Sequence, residues 1–151
     1  LRDAQRKTLN LSQTGMVVTL DIGNPTNIHP VNKQDVGKRL AGLALTNDYG
    51  KEQIASGPLF RDVFIDGNRL VVEFDHTGEG LKSSKVGLSG FEIAGADKKY
   101  FPAEAYIKDH KVLVYNPDIT SPVHVRYAWR DDSKASLFNV EGLPASSFSS
   151  E

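Results

Sequence analysis

The chain has 151 residues, enough for one medium domain or one and a half small ones. Its 18 basic and 19 acidic residues leave a net charge of −1, so no field is present that implies nucleic-acid or membrane-surface binding. The absence of cysteine excludes a disulfide framework, a thiol nucleophile and metal-thiolate sites, and the longest apolar runs fall far short of a membrane span.

In chain order, Leu1, Ala4, Gln5 and Leu9 share one helical face with basic residues between them, which predicts the tail of an amphipathic helix. Asn10-Leu-Ser12 matches a glycosylation sequon and is read as an accident of composition. Met16 to Leu20 is a short apolar run, the pattern of a strand covered on both faces as in a parallel sheet. Gly23, Pro25 and Pro30 make Asp21 to Val31 a loop, and this loop carries His29. Asn32 is a candidate cap for the helix that follows, with Asp35 in its first turn, where negative charge is favoured. Val36, Leu40, Leu43 and Ala44 form one stripe of that helix, which is expected to end near Tyr49-Gly50. A strand so apolar calls for parallel partners, so exposed apolar surface around Met16–Leu20, or pairing with a second copy, is expected.

From Leu59 onward the pattern is β. Leu59 to Ile65 and Arg69 to His76 read as a hairpin closed at Asp66-Gly67-Asn68, with Leu70, Val72 and Phe74 opposed to Val71, Glu73 and Asp75. Thr77 to Ser84 reads as a loop, followed by strands at Phe91–Ala94, Tyr100–Ile107, Lys111–Tyr115 and Val123–Trp129, with a tight turn at Asp109-His110. Short strands at this spacing predict an antiparallel sandwich. Leu137 to Phe148 reads as an irregular return along the surface. The fold class expected is therefore α+β, mostly β: a strand-loop-helix piece over residues 1–52 and an antiparallel β-sandwich over 53–151.

Few residues offer chemistry. His29 lies on a loop between a strand end and a helix, the edge of an α/β unit where ligands and chemistry gather, and it serves either as local packing or as a general base. Tyr127 and Trp129 fall on one face of a strand that also holds Arg126. An exposed aromatic pair there would stack on a sugar and the arginine would grip a carboxylate, but Trp129, the sole tryptophan, is expected to pack in the core or between domains. His76, His110 and His124 lack metal-ligand spacing, and Asp75-His76-Thr77-Gly78-Glu79 lacks the fixed positions of a calcium loop. Gly78-Glu79-Gly80 precedes no helix and so makes no phosphate cradle. Ser89, in Gly87-Leu-Ser-Gly90, fits no nucleophile elbow. The chain shows no nucleophile, and neither a cofactor nor a metal is expected.

Several blocks together carry a family likeness. Gly15-Met-Val-Val-Thr-Leu-Asp-Ile-Gly23, Asn27-Ile-His-Pro30, Asn32-Lys-Gln-Asp-Val-Gly-Lys-Arg-Leu40, Ser56-Gly-Pro58, Gly90-Phe-Glu-Ile-Ala-Gly95, Pro102-Ala-Glu-Ala105, Val125-Arg-Tyr-Ala-Trp129 and Leu137-Phe-Asn-Val-Glu-Gly-Leu-Pro-Ala145 resemble, in this order, the carboxyl-terminal part of sialate O-acetylesterases, the bacterial members above all. These enzymes have an SGNH (GDSL-like) hydrolase domain. The resemblance implies that residues 1–52 end such a domain, that His29 of Ile-His-Pro is the general base, and that the substrate is an O-acetylated sialic acid. The family's serine and oxyanion-hole blocks have no counterpart here, so the resemblance also implies a partner: the remaining N-terminal part of the catalytic domain. Where SGNH hydrolases place an acid three residues before the histidine, this chain has Thr26, which leaves Asp21 as a nearby acid candidate. The chain opens on Leu1 rather than Met, so a missing native start is expected; a periplasmic or secreted location is expected as well. The contrasting expectation is a non-catalytic β-sandwich that binds carbohydrate or another protein.

Overall fold

The computed structural model describes residues 1–151. Its architecture is α+β and mostly β, as the residue pattern predicts. The helices are α1 (Arg2–Lys7), extended by a 3-10 turn (Thr8–Asn10), and α2 (Gln34–Asn47). Ten strands follow: β1 (Leu59–Asp66), β2 (Arg69–Asp75), β3 (Leu81–Ser83), β4 (Phe91–Ala94), β5 (Phe101–Pro102), β6 (Glu104–Lys108), β7 (Lys111–Tyr115), β8 (His124–Tyr127), β9 (Leu137–Asn139) and β10 (Phe148–Ser149). They form two four-stranded sheets, in orders β1-β2-β7-β6 and β10-β8-β4-β5, and a β3–β9 ribbon. Every pairing is antiparallel.

The sandwich forms because alternate residues on facing strands are apolar. Leu70, Val72 and Phe74 of β2 and Val112 and Val114 of β7 meet Phe91 and Ile93 of β4, Val125 and Tyr127 of β8, and Phe148 in one buried cluster. Phe148 stacks on Phe60 at 4.6 Å between ring centroids and meets Phe74 edge-on at 5.7 Å. Gly67, at φ +62, opens the two-residue loop that sets Asp66 opposite Arg69, and the β1–β2 register follows from there with a bulge between Phe60 and Asp62. Asp109 and His110 both take positive φ in the β6–β7 turn.

Three features depart from the sequence expectation. Met16 to Leu20 runs without regular structure and joins no sheet, because no neighbouring strand lies beside it. The Thr77–Ser84 stretch expected to be a loop contains β3, and the end of the chain is interior rather than superficial: Leu137, Asn139 and Pro144 to Ser149 are all buried. The serines of that segment read as polar surface, yet they are satisfied inside. The Ser147 hydroxyl donates to the carbonyl of Ala128 (2.9 Å) and the Ser146 hydroxyl to the carbonyl of Ser147 (3.1 Å).

Residues 2–7 dock on the sandwich beside β10. The Arg2 guanidinium donates to Ser147 Oγ (2.9 Å), the Ala128 carbonyl (2.7 Å) and the Arg130 carbonyl (2.6 Å). Asp3 is buried between Arg6 (2.8 Å) and Lys7 (3.0 Å). Burial alone would raise its carboxyl, but the hydrogen bonds from Lys7 and Arg6 outweigh that effect and hold it below the usual carboxylate range.

Candidate active-site loop

The loop of interest runs from Asp21 to Val31 and is shaped by its own asparagines. Asn24 Oδ1 accepts from both the amide and the hydroxyl of Thr26 (2.9 Å each), and Asn27 Oδ1 accepts from the amide of His29 (2.8 Å). Such side-chain-to-backbone bonds two residues ahead let a chain turn without a sheet or helix to guide it. They present His29 at the surface, on a turn whose amide is fixed while its imidazole takes no protein partner.

Past the loop, Asn32 and Asp35 bond reciprocally. Asn32 Oδ1 accepts from the Asp35 amide (3.1 Å), and Asn32 Nδ2 donates to Asp35 Oδ2 (2.8 Å). Asn32 Oδ1 thus takes an amide of the first turn, as expected of it, although the cap position itself is Lys33 and α2 begins at Gln34. The hydrogen bond from Asn32, with Lys38 nearby, lowers the Asp35 carboxyl. At the far end Gly50, at φ +64, lets the Lys51 amide reach back six residues to the Leu45 carbonyl (2.9 Å) and close the helix.

Helix α2 also pins the start of the loop. Arg39 grips Asp21 with both guanidinium arms (2.8 and 2.5 Å) and donates as well to the carbonyl of Val18 (2.5 Å). The bond from Asp21 raises the Arg39 pKa against the cost of its partial burial. Asp21 therefore acts as a structural anchor. Both its carboxylate oxygens accept from Arg39, and neither meets the His29 imidazole. Thr26 is likewise turned to Asn24. The chain supplies His29 without a carboxylate partner.

Between this stretch and the sandwich lies an open groove of about 780 Å³, bounded by Met16 to Asp21 on one side and by Arg2, Asp131 and Ser146–Ser147 on the other. The remaining candidate residues lie apart from the loop. Tyr127 is wholly buried, its hydroxyl accepting from the amides of Ser136 (2.8 Å) and Leu137 (3.1 Å). Trp129 is 41% exposed, not a core residue. The two do not share a face, because Ala128 takes φ +49 and breaks the strand alternation after Tyr127. Trp129 comes instead to the side of Arg126, whose guanidinium lies 4.0 Å from the centroid of the Tyr100 ring and 5.7 Å from that of Trp129. Arg126 is further held by Glu92 (2.7 Å), and Tyr100 is pushed up to about 12 by burial and by its bond to Glu151. His76, His110 and His124 do not converge, and no three His, Asp or Glu side chains lie close enough to share a metal ion. Sequence reasoning missed the Arg39–Asp21 clamp. An arginine four residues into a helix stripe, facing an acid at the end of the preceding apolar run, was its only signal.

No family model matches the chain, and no curated protein matches it. Among solved structures the chain is similar to a carbohydrate acetylesterase from Xanthomonas citri, at 43% identity and a TM-score of 0.91. The likeness covers 98% of this chain but 35% of that protein, so the chain spans about a third of its structural relative. The strand-poor start, the loop with His29, α2 and the sandwich together share the fold of one part of a carbohydrate acetylesterase.

Proposed function

We propose that this chain is the carboxyl-terminal part of an esterase that removes acetyl groups from O-acetylated carbohydrate, with sialic acid as the sugar and His29 as the general base. The observation that carries the reading is the 43% identity, over 98% of the chain, to a carbohydrate acetylesterase. The free imidazole of His29 on its asparagine-shaped turn supports the assignment of the base, since a general base must reach a proton that the chain itself does not hold. The sialic acid specificity rests on the resemblance of Asn27-Ile-His-Pro30, Val125-Arg-Tyr-Ala-Trp129 and the other blocks to sialate O-acetylesterases.

In this reading a serine from the remaining N-terminal part of the catalytic domain attacks the acetyl carbonyl while His29 takes its proton. The proton passes to the departing sugar oxygen as the acyl bond breaks, leaving an acetyl-serine. His29 then deprotonates a water that releases acetate and restores the serine. Residues 1–52 close the catalytic domain, 53–151 form the sandwich beside it, and the enzyme works in the periplasm or outside the cell. Because the nucleophile lies elsewhere in the parent, the 151 residues alone are expected to release no acetate above background.

The test is acetate release by a chain extended upstream to include the serine, offered 9-O-acetylated sialic acid and an O-acetylated neutral hexose in parallel. Faster turnover of the sialic acid is expected. Preference for the hexose would overturn the sialic acid assignment, and no acetate from either sugar would overturn the esterase reading.

A further inference from the structure

The edge of a sheet offers unpaired amides and carbonyls to any strand that meets it, and folded chains blunt such edges. In the two large sheets the edge strands are β1, β6, β10 and β5. β1 carries a bulge between Phe60 and Asp62, while β5 and β10 are two residues long and β5 includes Pro102. β6 has none of these devices. Its five residues pair with β7 in unbroken register, without bulge or proline. β3 approaches β6 but pairs with β9 alone.

The β6–β7 turn decides which backbone groups of β6 are free. Asp109 and His110, at φ +49 and +61, make a two-residue turn, so Lys108 and Lys111 close the hairpin as a hydrogen-bonded pair. By alternation Tyr106 and Glu104 also bond to β7, and the amides and carbonyls of Ala105 and Ile107 point away from it. No other element takes them. On the outer face, Phe64, Val71, Leu113 and Tyr106 stand side by side on successive strands, an apolar row that ends at this edge. Glu104 and Lys108 flank Tyr106 on the same face, with opposite charge. Glu104 accepts from the Tyr115 hydroxyl, and neither it nor Lys108 belongs to an ion pair.

We propose that β6 pairs antiparallel with β6 of a second copy of this chain, centred on Tyr106, so that one sheet runs through both copies. In this register Ala105 stands opposite Ile107 of the second copy, and the two exchange amide and carbonyl on each side of the symmetry axis. Every free group of both residues is then used. The same register sets Glu104 opposite Lys108 at each end, so the unmatched charges of one strand are met by those of the other. Other symmetric registers fail. Centring on Ala105 would oppose Ile107 to Ala103, whose amide already bonds the Phe91 carbonyl (2.9 Å). Centring on Ile107 would run Ala105 into the turn at Asp109 and set Lys108 against Tyr106. A strand whose charge pattern complements itself on reversal favours a second copy over an unrelated peptide. The proposal is independent of the esterase reading, and no residue of β6 lines the groove beside the His29 loop.

The test is sedimentation velocity on this chain from about 1 to 500 µM, where a contact at the small end of specific interfaces should give a dimer with Kd of about 10–100 µM. As the dimer forms, amide exchange at Ala105 and Ile107 should slow by about tenfold or more, while Tyr106 and Lys108, bonded to β7, are protected throughout. Ala105→Pro removes a donor that β7 does not use, so it should raise Kd by about 10²-fold or more with β4 and β7 amide protection unchanged. Glu104→Lys and Lys108→Glu should each raise Kd by about tenfold, because like charges then face each other. An equimolar mixture of those two variants, in which opposite charges face again, should associate with the Kd of the parent. A parent that stays monomeric over the whole range would overturn the proposal. So would a dimer that survives Ala105→Pro, or a mixture of the charge variants that associates no better than either alone.

Discussion

The buried hydroxyl of Tyr127 ties β8 to the last third of the chain, and its removal should be costly. Tyr127→Phe deletes one oxygen and strands two backbone amides, those of Ser136 (2.8 Å) and Leu137 (3.1 Å). Tyr127 and Leu137 are fully buried and Ser136 nearly so, leaving no route for bulk water to replace the acceptor. A buried donor left without a partner costs about 1–3 kcal/mol, so two give about 2–6 kcal/mol. Ser136 Oγ stays engaged with the Ser89 carbonyl (2.7 Å) and is only 3.4 Å from the lost oxygen, so local adjustment recovers part of the cost. About 3 kcal/mol is expected, or roughly 10 °C in Tm for a chain of this size. Urea unfolding should show a lower midpoint at unchanged slope. Tyr115→Phe is the control. Its hydroxyl donates to Glu104 at the surface (2.5 Å), and its loss should cost under about 0.5 kcal/mol. A cost below about 1 kcal/mol for Tyr127→Phe would refute the role assigned to the hydroxyl.

Other outcomes follow from the same structure. Gly57→Ala places a Cβ 2.1 Å from the Pro144 carbonyl oxygen, so it should cost at least the upper end of the overpacking range of about 1–3 kcal/mol by urea unfolding. Gly37→Ala, in the interior of α2 with nothing within 4 Å of the new methyl, should raise helicity by circular dichroism, consistent with about 1 kcal/mol of helix propensity. Asp3 is held below its ordinary pKa, so its contribution to docking α1 is full above about pH 4, its unfolded value, and is lost as pH falls through its lower folded value. Amide exchange in α1 should accelerate across that acid range, and Asp3→Asn should flatten the response. Arg39→Ala releases Asp21 and Val18 together, and in the extended enzyme it should lower kcat by about 10- to 100-fold with little change in KM, because it displaces the His29 loop rather than a substrate contact.

How far these features could be read from residues alone depended on the length of each pattern. The β1–β2 hairpin was legible because Leu70, Val72 and Phe74 alternate cleanly and Asp66-Gly67 supplies the turn. β4 and β7 fall where short apolar runs place them. β3, β9 and β10 were not, since strands of two or three residues carry too few positions to show a period. The tail from Pro144 to Ser149 hid its burial behind serines, of which Ser147 is satisfied by partners distant in sequence, Ala128 and Arg2. Trp129 was misplaced because one backbone angle, the positive φ of Ala128, reverses the face that alternation assigns. At the candidate site, the loop, the bond from the Asp35 amide to Asn32 and α2 were legible from local chemistry. The commitment of Asp21 to Arg39 was not, because it depends on how the helix lies across the apolar stretch.

The most direct measurement on the central claim is the rate of acetate release from 9-O-acetylated sialic acid by the upstream-extended chain and its His29→Ala variant, with folding of both checked by β4 and β7 amide protection. If His29 is the base, kcat should fall by about 10³-fold or more while KM changes little. A folded His29→Ala variant that releases acetate at the parent rate would contradict the account.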